Sequence, residues 1–205
     1  VVYNDHGLNF FLDKMPTFAV GAARQYSNAD EGWGIPTLPP FRGEPELSWH
    51  LINELVEKEF DVVTCQEMLV DHACTLPLKL FWPDGECPVS VVPVCINTVQ
   101  FPLPNAKRCY ALGDAVGEAI RAWPGNERVL LLGTGGLSHQ LDGERAGFIN
   151  KAFDLQFMDS LVSNPEWATQ FSTLELVEKT VTQGVEVLMW LAMRAALTVG
   201  DGSSV

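Results

Sequence analysis

The side chains of this chain best suited to chemistry are its histidines and one isolated glutamate. His139 stands in Gly133-Thr134-Gly135-Gly136-Leu137-Ser138-His139-Gln140-Leu141, directly after the apolar run Val129-Leu130-Leu131-Leu132. Such a run meeting clustered glycines predicts a buried strand that ends in a tight, exposed turn. Glycine lacks Cβ, so the backbone there takes positive φ and approaches a ligand closely. A helix-initiating turn whose histidine only packs is the plainer alternative. Glu186 lies in Gly184-Val185-Glu186-Val187-Leu188-Met189-Trp190-Leu191-Ala192-Met193, where it is the only charge before Arg194. That stretch is apolar on every side and predicts a buried helix. An isolated carboxylate there is costly unless paired, protonated or bound to a cation. Arg194 about two turns along, a capping role near the helix start, and a metal ion are the three partners to weigh.

The elements that must position these groups alternate. An opening strand at Val1-Val2-Tyr3-Asn4 precedes Asp5-His6. Gly32, Gly34, Pro36, Pro39 and Pro40 predict a long surface loop over residues 28–43. Pro45 opens a helix with Leu47, Leu51, Ile52, Leu55 and Val56 on one face. Residues 60–65 predict a second strand, and residues 89–97 a third, in which Pro93 implies an edge position or a bulge. Cys109, Leu112, Val116, Ile120 and Trp123 mark the next helix, and residues 128–133 a fourth strand. Helices follow over 145–162 and from a capping box at Ser172-Thr173-Leu174-Glu175.

This alternation predicts an α/β fold: a mostly parallel central sheet flanked by helices, with the active site at the carboxyl ends of the strands. His6, His72 and His139 all follow strands and share that edge, where they can converge; each taken alone also fits a solvated loop histidine. His50, beside Trp49 inside a helix, is expected to be structural. A histidine and a buried glutamate form half of a two-histidine, one-carboxylate site, which by spacing alone suits iron(II) or zinc.

Composition narrows the partners. At 205 residues, with 47% hydrophobic and 19% charged, the chain suits a single globular domain over residues 1–205. A formal charge of -13 argues against nucleic acid and against an anionic membrane. No apolar run reaches the ~18 residues of a membrane span, and no leader pattern is present. Five cysteines without a CxxC pair point to a reducing cytoplasm. The chain opens on a strand and ends on Gly200-Asp201-Gly202-Ser203-Ser204-Val205, a loop-like stretch, so further segments are expected at both ends.

Tyr3-Asn4-Asp5-His6, Val70-Asp71-His72, the glycine-rich His139 motif, Arg145-Ala146-Gly147-Phe148-Ile149-Asn150-Lys151 and the Glu186 helix together resemble the large subunit or domain of class III extradiol ring-cleaving dioxygenases. These are the protocatechuate 4,5-dioxygenase group. The resemblance runs through nearly the whole chain. Within the group, Asp5-His6-Gly7-Leu8-Asn9-Phe10-Phe11-Leu12-Asp13-Lys14-Met15-Pro16 and Leu141-Asp142-Gly143-Glu144-Arg145 look closest to gallate dioxygenase.

The resemblance implies Fe(II), with His6 and Glu186 as metal ligands, His139 as catalytic acid/base and His72 as a second-sphere catalytic histidine. The family's first iron ligand, a histidine in a short Ser-His motif, has no matching position, so the site is expected to be incomplete in this chain. The implied reaction is extradiol cleavage of a catecholic aromatic acid with insertion of both atoms of O2. Gallate is the first choice of substrate and protocatechuate the alternative. The implied assembly is a homodimer, or a complex with a small partner subunit. Readings of another class are a zinc hydrolase and a non-catalytic binding relative on the same scaffold. Ser138-His139 does not suit a serine hydrolase, because adjacent turn residues point apart and the glycine after serine of a nucleophile elbow is missing.

Overall fold

The computed structural model describes residues 1–34, 37–84 and 86–198. The loop-like end at 200–205 and the Ile35-Pro36 part of the long loop lie outside the described residues. The architecture is α/β. A four-stranded sheet runs in the order β1 (Val2–Tyr3), β7 (Val94–Ile96), β2 (Phe18–Gly21), β5 (Val63–Cys65). The outer pairs, β1 with β7 and β2 with β5, are parallel, and the central β7–β2 pair is antiparallel. A smaller sheet carries β4 (Phe41–Arg42), β3 (Gln25–Asn28) and β6 (Leu69–Val70).

Side-chain alternation divides the main sheet into two faces. Val2, Phe18, Val20, Val94 and Ile96 enter one core with Ile52 and Leu55 of α1 (Pro45–Glu57), with α3 (Ala106–Ala122) and α6 (Val187–Ala196), and with Phe153 and Phe157 of α4 (Lys151–Ser163). Tyr3, Ala19 and Cys95 enter the other, with Tyr26, Phe41 and Val70 of the small sheet and Cys74 and Leu78 of α2 (His72–Phe81). The sheet is thus sandwiched between helices and a second, smaller layer. α3 lies very close to α6: a Cβ at Gly113 would stand 2.0 Å from the Ala192 carbonyl oxygen, and one at Gly117 2.2 Å from that of Ala196.

Pro45 sits in the first turn of α1, and the Ser172 capping box opens α5 (Thr173–Gly184), both as the residue types predict. Cys65, Cys74, Cys95 and Cys109 are buried and unpaired, as small core residues. Several boundaries differ from expectation. The strand expected over 89–97 is only Val94–Ile96 and is central rather than at an edge; Pro93 lies just outside it, so its missing N–H removes no ladder bond. Residues 128–133 form no strand. They touch β1 through a single bridge, with the Val2 N–H on the Leu132 carbonyl at 2.7 Å, and Leu130 is 62% exposed. The helix expected from residue 145 begins at Lys151, capped by the Asn150 side chain. β2, β3 and α2 were not expected. The long loop is therefore shorter than 28–43, ending in β4 at Phe41.

Candidate metal and catalytic site

The chain leaves β1 through buried Asn4 and Asp5. The Asp5 carboxylate accepts backbone N–H groups of Gly7, Leu8, Asn9 and Phe10 and so winds the next residues around itself. Asn9 exchanges hydrogen bonds with the backbone of Leu69, which pins this turn to β6. His6 is thereby delivered to the start of α2. Oδ2 of Asp71 accepts the His6 backbone N–H at 3.0 Å and its Nδ1–H at 2.9 Å, while Oδ1 accepts the Ala73 N–H and caps α2. A carboxylate can only accept, so Nδ1 of His6 carries a proton, and the nitrogen turned the other way, 3.1 Å from Asn4 Nδ2, is Nε2.

That nitrogen is 3.5 Å from Oε1 of Glu186. Glu186 is not inside the helix but at the residue preceding α6, and its side chain makes no cap. It turns inward instead: Oε1 accepts Asn4 Nδ2–H at 3.3 Å and Oε2 accepts the Gly136 N–H at 2.7 Å. Arg194 is not its partner, since it donates to the Leu161 carbonyl and to Thr198. Just upstream, α5 is interrupted at buried Val181, with φ 59° and ψ -176°, a conformation strained for a β-branched residue. The break lets the chain change direction before Glu186.

Electrostatics in this corner are those of an ion pair. Burial by itself pulls the His6 pKa down, yet the hydrogen bonds and charges of Asp71 and Glu186 outweigh it and lift the value to about 10. Burial pushes Glu186 up, and His6 and the Gly136 N–H more than offset this, holding its carboxyl below its usual range. The bonding pattern therefore favours a carboxylate facing a cationic or cation-bound imidazole.

The glycine turn packs on the same helix. Gly135 has φ +96°, and a Cβ there would lie 2.6 Å from Cβ of Glu186, so glycine alone permits this approach. Trp190, one turn beyond Glu186, donates its ring N–H to the Gly135 carbonyl at 3.0 Å. Glu186 and Trp190 thus grip successive residues of the turn. Ser138 is structural: its Oγ donates to Asp154 at 2.7 Å and accepts the Asn150 N–H at 2.6 Å. His139 is half-buried and gives its Nδ1–H to the Leu137 carbonyl at 2.7 Å, and its Nε2 has no hydrogen-bond partner among the described residues. Its ring lies against Gly136, the residue whose N–H holds Glu186.

His72 lies a few residues after β5, as expected, and opens α2 just beyond β6 and Asp71. Its ring centroid is 4.4 Å from that of His6 and 4.9 Å from that of Trp33. The ligating atoms of His6, Asp71 and His72 lie within 4.8 Å of one another, a spacing that could hold a metal ion. A cleft of about 400 Å³ opens beside His72, bordered by Glu31, Trp33, Thr75 and Lys79. His50 is remote in role: its Nε2 faces the Ala119 carbonyl at 2.8 Å and its ring packs on Trp123.

Of the four residues singled out from sequence, His6, His72 and Glu186 are joined by direct contact, and His139 is tied to them through Gly136. Three polar groups of the site went unassigned: Asn4, Asp71 and Glu31. Asp71 stands in the same short motif as His72 and was visible there; Glu31 lies in a loop remarkable only for its length.

The family described as the catalytic LigB subunit of aromatic ring-opening dioxygenase matches residues 1–203. A gallate dioxygenase of Pseudomonas putida is 39% identical over 171 residues, covering 83% of this chain and 50% of that protein. A 2,3-dihydroxyphenylpropionate/2,3-dihydroxicinnamic acid 1,2-dioxygenase of Comamonas testosteroni is 34% identical over 137 residues, covering 66% of this chain and 41% of its own. A protein of the same description from Photorhabdus laumondii subsp. laumondii is 38% identical over 135 residues, 66% of this chain and 40% of its own. The chain thus spans about half the length, or less, of these curated relatives. With its glycine turn, His6 and Glu186 arranged as described, the chain belongs to the class III extradiol dioxygenases, the family of the catalytic LigB subunit of aromatic ring-opening dioxygenases.

Proposed function

We propose that this chain forms the single catalytic domain of an iron(II)-dependent dioxygenase that opens the ring of a catecholic aromatic acid beside its diol, with gallate the first candidate and protocatechuate the second. The observation that carries the reading is the 3.5 Å approach of His6 Nε2 to Glu186 Oε1, with the other nitrogen of His6 already committed to Asp71. An imidazole nitrogen and a carboxylate oxygen converging, each backed by a hydrogen bond, make the donor chemistry of a divalent iron or zinc site. The relative named gallate dioxygenase supports the substrate, and the dihydroxyphenylpropionate relatives support the wider class of catecholic acids.

In this reading His6 and Glu186 hold the metal. When bound, iron(II) supplies charge that acidifies a vicinal diol, and open positions where diol and dioxygen meet. The Gly136 N–H keeps Glu186 turned inward. The proton of His139 is held on Nδ1 by the Leu137 carbonyl, so Nε2 takes a proton from the substrate side and returns it later. His72, packed against the His6 ring, orients the polar end of the substrate. The same reading makes the protein cytoplasmic, and a homodimer or the partner of a small subunit. Among the described residues no helix is long and apolar enough to cross a membrane.

Anaerobic loading of the full protein with iron(II), followed by oxygen uptake with gallate, protocatechuate and catechol, tests the proposal. Stoichiometric uptake with one of the acids is expected. Uptake with none of the three, in protein shown to hold iron, would overturn it.

A further inference from the structure

Glu31 lies outside every motif that the family resemblance carries, yet both of its carboxylate oxygens are spent on His72. Oε2 accepts the His72 backbone N–H at 2.8 Å and Oε1 faces Nδ1 at 2.7 Å. The pair is well enclosed, with side-chain exposures of 14% for Glu31 and 27% for His72. Its position is also determined. The Ala29 N–H bonds to the Val70 carbonyl at 2.9 Å, continuing the pairing of β3 with β6, and the Asp30 side chain accepts the Gly32 N–H at 2.9 Å to turn the loop just after Glu31. Trp33 then packs against the His72 ring, which is flanked by the rings of His6 and Trp33.

We infer that Glu31 is a positioning residue: it holds His72 as the Nδ1–H tautomer and fixes its ring plane, so that Nε2 is the nitrogen presented to the substrate. The inference rests on the ring-cleavage reading for the identity of that substrate. A carboxylate oxygen accepts only, so a neutral imidazole facing it must keep its proton on Nδ1. Glutamine cannot replace it. An amide offers one accepting oxygen and one donating nitrogen, whereas His72 presents two N–H donors; satisfying one of them turns an N–H toward the other. Aspartate retains both acceptors on a shorter arm.

The test is ¹⁵N NMR of histidine-labelled full-length protein without metal, with the His72 signals assigned through a His72→Asn variant. The Nδ1–H tautomer is expected in the unsubstituted protein and in Glu31→Asp, and a shift toward Nε2–H in Glu31→Gln. In the iron-loaded enzyme, Glu31→Gln should lower kcat about 10- to 100-fold, with KM for the acid within about threefold and iron content unchanged. An Nε2–H tautomer in the unsubstituted protein would overturn the inference, as would a tautomer and kcat indifferent to Glu31→Gln. Because the tautomer is read without turnover, lack of oxygen uptake by the unsubstituted enzyme counts against the ring-cleavage reading alone, and the NMR result still decides the role of Glu31.

Discussion

At the β1–α2 corner His6 and His72 each direct Nδ1 to a carboxylate, of Asp71 and Glu31, whereas in the glycine turn His139 gives its Nδ1–H to the neutral Leu137 carbonyl. All three imidazoles commit Nδ1 and turn Nε2 the other way, but the means differ in charge. A carboxylate orients the ring and also stabilises positive charge on it, and with Glu186 it lifts His6 to about 10. A carbonyl orients the ring without adding a charge. The first corner suits the gripping of a cation, the second the passing of a proton, and Glu186 joins the two by touching His6 with one oxygen and Gly136 with the other.

The substitution that should break both corners at once is Glu186→Ala. Iron affinity is expected to fall by about 100-fold or more with the fold retained, as measured by metal content after gel filtration and by circular dichroism. Iron content equal to that of the unsubstituted protein would remove Glu186 from the site. His139→Phe should separate the corners: iron stays, while kcat for ring cleavage drops about 10²- to 10⁴-fold. Loss of iron in that variant would make His139 a ligand and erase the distinction.

Asp71→Asn sharpens the contrast within the first corner. It keeps an acceptor for Ala73 but removes the charge behind His6, and iron should bind about 10- to 100-fold more weakly in titrations. The metal-free protein carries a pH signature of the same pair. His6 is raised from 6.5 to about 10, so its contribution to stability is complete below pH 6.5 and fades as pH rises through about 10. Glu186 is lowered from 4.5, so its contribution is present above pH 4.5 and fades on acidification. Chelator-treated protein should therefore lose resistance to urea between pH 6.5 and about 10, and Asp71→Asn should flatten that decline. A profile unaffected by the substitution would mean that Asp71 does not govern His6. The smallest effect belongs to His50→Phe: about 1 kcal/mol of stability from the lost bond to Ala119, with iron content and turnover unchanged.

How much of this was legible in the sequence depended on what kind of signal each residue leaves. Glu186 is visible because a charge in an apolar stretch is an energetic anomaly, and His139 because glycines cluster only where backbone must come close. The partner of Glu186 is not fixed by that anomaly, which suits Arg194, a capping role or a metal; the geometry directs Arg194 to Leu161 and leaves the helix start uncapped by the side chain. Glu31 leaves no such mark, since its partner is 41 residues away and an acidic residue in a loop is ordinary. Short strands fared similarly. Phe18–Gly21 has four residues, too few for periodicity to establish, and α2 contains Pro77, which argues against a helix on local grounds. Residues 128–133 misled in the opposite sense, because an apolar run implies burial only where the fold covers it.

The close seating of α3 against α6 has a consequence for aim. Ala192, whose carbonyl oxygen would stand 2.0 Å from a Cβ at Gly113, lies six residues beyond Glu186, about 9 Å along the helix axis. The spacing between the two helices is set by what position 113 lacks. A methyl group added there would meet the Ala192 backbone, so α6 would have to shift, and Glu186 stands at the residue just before that helix. The bearing of that carboxylate is thus calibrated from a neighbouring helix, by hydrogen atoms standing where any other residue would carry carbon.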